Sequence, residues 1–123
     1  MKQKINEIEI NGVTYVPKGI AVQMAPELDG MEYCMVRTFS AGVFAGYVER
    51  RDGQEAVLRN ARRMWRWAGA ASLSQLAMDG TSRPNECKFP APVDKVILTE
   101  VIEVISITEK AQKSIEEVPV WSE

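Results

Sequence analysis

The feature that most narrows what this chain can fold into is a pair of very short turns between β-rich runs. Tyr33–Phe39 and Val43–Glu49 are separated only by Ser40-Ala41-Gly42, and Arg51-Asp52-Gly53-Gln54 leads on to Glu55–Arg59. Their β-branched and aromatic residues suit a pleated, half-buried surface. Turns this short join antiparallel neighbours, since a parallel crossover takes a dozen residues or more. Lys95–Thr99 and Val101–Ile107 are also β-rich. Upstream, Ile8-Glu9-Ile10-Asn11-Gly12-Val13-Thr14-Tyr15-Val16 reads as a β-hairpin, because Asn-Gly suits both positive-φ positions of a type I′ turn. Pro17 ends it. Residues 18–30 read as a linker with a short helical turn around Ala21–Met24.

Two helices complete the pattern. Ala70–Met78 is helical, with Gly80 as its stop. Thr108-Glu109-Lys110-Ala111-Gln112-Lys113-Ser114-Ile115 is a second short helix with Thr108 as N-cap. Val118-Pro119-Val120-Trp121 reads as a terminal edge strand, because proline cannot donate to a ladder. Asn60–Trp67 is open between helix and strand. As a strand it puts Arg63, Trp65 and Trp67 on one face and Arg62, Met64 and Arg66 on the other, and its aromatic content favours that choice. The expected class is α+β: an antiparallel β-sheet with two short helices and an N-terminal β-hairpin. At 123 residues this is one domain, with the hairpin and linker at 1–30 and the main body at 31–123.

Composition removes whole classes of chemistry. The chain has no histidine, so Ser-His-Asp and Cys-His catalysis and histidine metal sites are excluded. Two cysteines, Cys34 and Cys87, cannot build the usual four-ligand zinc site and read as free thiols in a reducing compartment. No cofactor and no metal are expected. The net charge of −2 argues against a nonspecific binder of polymeric nucleic acid. Acids interrupt the apolar character of Ile5-Asn6-Glu7-Ile8-Glu9-Ile10, so no signal peptide is expected. No apolar run approaches the roughly 18 residues of a membrane span. The expectation is a cytoplasmic protein with no membrane partner.

Ala61-Arg62-Arg63-Met64-Trp65-Arg66-Trp67 carries the clearest chemical signal. Guanidinium forks match phosphate oxygens, and an indole face can stack a base for roughly 1–3 kcal/mol. The alternative is core tryptophans flanked by solvated arginines. In Ser40-Ala41-Gly42-Val43-Phe44-Ala45-Gly46, Gly42 and Gly46 allow a backbone to approach a ligand closely, or form a hairpin turn and a bulge. Residues 80–90 form a polar loop in which Thr81, Ser82 and Asn85 suit ribose hydroxyls or base edges. Phe89, beside Lys88, either packs beneath the sheet or covers a pocket. The candidate ligand-binding set is Arg62, Arg63 and Arg66 for phosphate, Trp65, Trp67 or Phe89 for stacking, and Thr81, Ser82, Asn85 and Lys88 around them. No carboxylate pair suits acid–base catalysis, and the chain is read as a non-enzyme.

Val36-Arg37-Thr38-Phe39-Ser40-Ala41-Gly42-Val43-Phe44-Ala45-Gly46, the Ala61–Trp67 segment, Gly69-Ala70-Ala71-Ser72-Leu73-Ser74-Gln75-Leu76-Ala77, Cys87-Lys88-Phe89-Pro90 and Val118-Pro119-Val120-Trp121 together resemble a family of small phage and prophage proteins. That family is associated with the first type of Thoeris anti-defence sponge. The resemblance covers roughly residues 33–121. It implies a homo-oligomer, a dimer or hexamer, that sequesters a cyclic ADP-ribose isomer made by bacterial TIR-domain enzymes without cleaving it. Some members also hold cyclic di- or trinucleotides of CBASS immunity at a separate site. The implied setting is the cytoplasm of an infected bacterial host.

Overall fold

The structure is a computed structural model that describes residues 8–10, 13–15 and 22–122. Two short strands, β1 (Ile8–Ile10) and β2 (Val13–Tyr15), pair antiparallel as expected for the hairpin, while its Asn11-Gly12 turn lies outside the described residues. The main sheet has five antiparallel strands: β3 (Glu32–Thr38), β4 (Val43–Asp52), β5 (Glu55–Arg63), β6 (Val93–Leu98) and β7 (Val101–Ser106). Two helices, α1 (Leu73–Asp79) and α2 (Glu109–Glu117), complete an α+β architecture.

The strand order β6-β5-β4-β3-β7 forces the sheet to roll. β6 and β7 lie at opposite edges, yet only Thr99 and Glu100 separate them in sequence. Four inter-strand steps would put the edges of a flat sheet about 19 Å apart. Leu98 and Val101 are three residues apart, a reach of at most about 11 Å. The edges therefore come together. Backbone bonds pin the closure: Phe39 N–H donates to the Glu100 carbonyl and Val101 N–H to the Gln54 carbonyl, both at 2.9 Å, so both turn tips meet one dipeptide.

Period-2 alternation splits the apolar residues into two cores. Cys34, Val36, Phe44, Leu58 and Leu98 fill the inside of the roll. Tyr33, Met35, Ala45 and Met64 face outward, where Leu76 and Ala77 of α1 and Ala111 and Ile115 of α2 cover them. The β4–β5 pairing carries two bulges, an extra residue of β5 at Asn60-Ala61 opposite Gly46 and an extra residue of β4 at Glu49, which let the strands bend. At Gly46 the close approach comes from β5, not from a ligand: a Cβ there would sit 3.0 Å from the Ala61 Cα.

Both helices open on a hydroxyl cap, of which the Thr108 cap was the one expected. Ser72 accepts from Gln75 N–H at 3.2 Å, and Thr108 accepts from Ala111 N–H at 3.0 Å. Because Ser72 is the cap, α1 begins at Leu73, three residues later than expected. Three other readings are corrected. Met24 is extended and bridges Thr108, and Ala25 N–H donates to Ile107 at 2.9 Å, so the expected turn around Ala21–Met24 is not helical at its described end. Residues 118–121 form no strand. Their pairing is one parallel bridge between Val120 and Phe89, with Trp121 N–H donating to the Phe89 carbonyl at 3.0 Å. Arg51 and Asp52 belong to β4, and only Gly53 and Gln54 turn the chain.

Candidate functional site

The strand reading of Asn60–Trp67 holds to Arg63, and its alternation runs on to Trp65. The face it turns to the helices is a surprise: Arg62 and Met64 are buried there, while Arg63 and Trp65 are exposed. Asn60 sits at φ +50, in the left-handed region that asparagine tolerates better than most residues.

Arg62 is a structural cation. Its Nε donates to the Pro90 carbonyl at 2.9 Å, Nη1 to Ile115 at 2.9 Å, and Nη2 to Phe89 at 3.0 Å and Val118 at 2.8 Å. Four of the five guanidinium donors thus tie β5 to the loop before β6, to the end of α2 and to the C-terminal segment. The Ile115 carbonyl lies in the last turn of α2, where a cation is favoured. Burial pushes the Arg62 pKa down, with nearby Tyr33 acting the other way. The phosphate role expected for Arg62 is corrected on this geometry: the fork is committed to backbone carbonyls. Phe89 is corrected too. It is fully buried in the outer core, with the Arg62 guanidinium 5.5 Å from its ring centroid, and has no face for a base. Trp67 is half-buried and packs against the same core.

Arg63 is placed differently. It pairs across the ladder with Phe44, and its guanidinium carbon lies 4.6 Å from the Phe44 ring centroid, within cation–π range. Both residues line a cavity of about 430 Å³ at the mouth of the rolled sheet, with Lys95, Ala61, Val96 and Pro90. Neither Arg63 nor Lys95 has a carboxylate in ion-pair range among the described residues. The neighbouring Asp94 carboxylate is taken by Arg59 at 3.3 Å. The mouth thus sets two cations that have no carboxylate partner among the described residues against an apolar wall, with the buried Phe44 ring beneath Arg63. Sequence reasoning missed Phe44 and Lys95. Their one signal was alternation, which sends Phe44 into the roll.

The remaining candidates are scattered. Trp65 is 63% exposed. Arg66 and Lys88 pair through their backbones, N–H to carbonyl, at 3.2 and 2.8 Å, and the Lys88 ammonium lies 5.4 Å from the Trp121 ring centroid. Thr81 is spent on the fold, since its hydroxyl donates to the Ala68 carbonyl and accepts from Arg83 N–H at 3.0 Å. Ser82 donates to the Gly69 carbonyl at 3.3 Å, and Asn85 is exposed in a 3₁₀ turn, Pro84–Glu86. These polar residues do not reach the mouth. A wider groove of about 780 Å³ beside α2 includes Thr81, Lys110 and Lys113, but Asp79, Glu109 and Glu117 offset those lysines.

Cys34 and Cys87 are buried free thiols. Among the described residues no cluster of acidic and cysteine side chains could hold a metal ion, and no helix is long and apolar enough to cross a membrane. No curated protein and no solved structure matches the chain. A family model described as a domain of unknown function, DUF6948, matches residues 31–115, the rolled sheet and nearly all of its helical cover. With more than half of its length matched, the chain belongs to the DUF6948 family.

Proposed function

We propose that the protein is a cytoplasmic phage-encoded sponge that captures cyclic ADP-ribose-type nucleotides and leaves their bonds intact. The observation that carries this reading is the mouth where Arg63 lies over Phe44 beside Lys95. Its cations suit a pyrophosphate, and its apolar wall suits a base or the faces of the riboses. The absence of histidine fits a binder with no turnover. The resemblance of Val36–Gly46, Ala61–Trp67 and Cys87–Pro90 to the phage sponges adds the ligand class, the homo-oligomer and the infected bacterial host. Cyclic di- and trinucleotides are the second ligand class to test.

A thermal-shift screen against cyclic ADP-ribose isomers and cyclic di- and trinucleotides is the direct test. A ligand held by the native state raises Tm by mass action. Heating the loaded protein and weighing what it releases should return the ligand unchanged; a cleaved product would make it an enzyme. The rival reading is a phage interaction module with no small ligand. It rests on Phe39, 77% exposed at a turn tip, and on Trp65. It predicts no shift with any nucleotide.

A further inference from the structure

A second cavity, of about 340 Å³, opens between α2 and the outer face of the sheet, and its charges differ from those of the mouth. Its buried wall holds Arg62, and its lining also holds the exposed acid Glu116. Tyr33 and Tyr47 form an aromatic wall, edge to face with ring centroids 5.0 Å apart. Leu28, Val118 and Val120 supply aliphatic surface. The Tyr47 hydroxyl accepts from Gln112 Nε2 at 2.9 Å, which leaves its own proton free to donate. Four Arg62 donors are used on carbonyls, which leaves one Nη1 hydrogen. Glu116 is held only loosely, through a 3.4 Å bond from Gln112 to one carboxylate oxygen. Tyr33 senses both charges: burial first and then Glu116 push its pKa up, while Arg62 pulls it down.

This charge pattern selects among ligands. An anion with several charges, such as a pyrophosphate, meets one spare guanidinium hydrogen and a repelling carboxylate. A plain cation is repelled by Arg62. A molecule with one charge of each sign at one end and an apolar body meets complementary groups throughout. We propose that this cavity binds a free α-amino acid with an aromatic or branched apolar side chain. Its carboxylate is received by the Tyr47 hydroxyl and the one remaining Nη1 hydrogen of Arg62, its ammonium by Glu116, and its side chain by the tyrosine rings and the aliphatic wall.

The site is independent of the mouth, and the test separates them. Full-length protein is titrated calorimetrically with L-phenylalanine, L-leucine, 3-phenylpropionate, which lacks the ammonium, and phenethylamine, which lacks the carboxylate. Saturable binding of at least one amino acid is expected, at least tenfold tighter than either single-charge analogue. Glu116→Gln should weaken it at least tenfold without moving Tm, Tyr47→Phe should weaken it several-fold, and Arg63→Ala should leave it unchanged. No saturable heat with either amino acid, equal affinity for the analogues, or indifference to Glu116→Gln would overturn the proposal.

Discussion

Arg62 shows how one residue can look like a ligand contact and serve as a staple. Alternation put it and Arg63 on opposite faces of β5, but nothing in the sequence said which face the helices cover. Arg62→Met leaves four carbonyls without their donor, and each buried orphan costs about 1–3 kcal/mol before local rehydration. A loss of roughly 3 kcal/mol or more is expected, read as a lower urea midpoint; an unshifted midpoint would contradict the staple. Phe89→Ala belongs with it, at about 3–5 kcal/mol for emptying a packed aromatic site. Cys34 makes a pH prediction. Burial, helped by Glu32, pushes its thiol from 9.0 up to about 12. Below pH 9 the thiol is protonated in both states and the full stability is present. Between about 9 and 12 only the unfolded chain loses the proton, so stability falls as pH rises. Urea midpoints measured across that range should drop more steeply in the wild type than in Cys34→Ala.

At the scale of elements, the chain wrote its turns and caps plainly and its long-range closures poorly. Ser40-Ala41-Gly42, Gly53, Thr108 and Gly80 each act within a few residues, so their chemistry was readable. The C-terminal segment was not. Val118–Trp121 alternates like a strand, but Arg62 and Phe89 hold its backbone by two scattered contacts instead of a ladder. A bulge at Gly46 was one of two readings of its segment; that β5 supplies the extra residue and the close backbone was not legible. Gly80 provides a clean test. It sits at φ +78, and a Cβ would fall 2.4 Å from the Ser114 Cβ on α2. Gly53 has φ +60 with nothing within 4 Å. Gly53→Ala should cost about 1–2 kcal/mol for the left-handed backbone alone. Gly80→Ala should cost clearly more, because α2 must also shift; equal midpoints in the two variants would contradict the packing described.

At the scale of the molecule, the order of the strands creates the candidate site, because β5 lies between β4 and β6. It brings Arg63 and Phe44 of one hairpin against Lys95 of the last pair of strands, residues far apart in sequence. An antiparallel α+β scaffold was legible from short turns and alternation. The edge-to-edge closure was not, because it depends on β6 and β7 choosing opposite edges, and nothing local to Thr99-Glu100 encodes that choice. Within the arginine-tryptophan segment the division of labour was not legible: Arg63 lines the mouth, while Arg62 turns to the helix-covered outer face. The most direct measurement is calorimetric titration of a cyclic ADP-ribose isomer into wild-type protein and Arg63→Ala, with circular dichroism to confirm that both fold. A hydrogen bond to a charged group is worth about 1.5–3 kcal/mol, so the variant should bind roughly ten- to a hundredfold more weakly at unchanged stoichiometry. Identical affinity in the two folded proteins, or no binding by the wild type, would contradict the account.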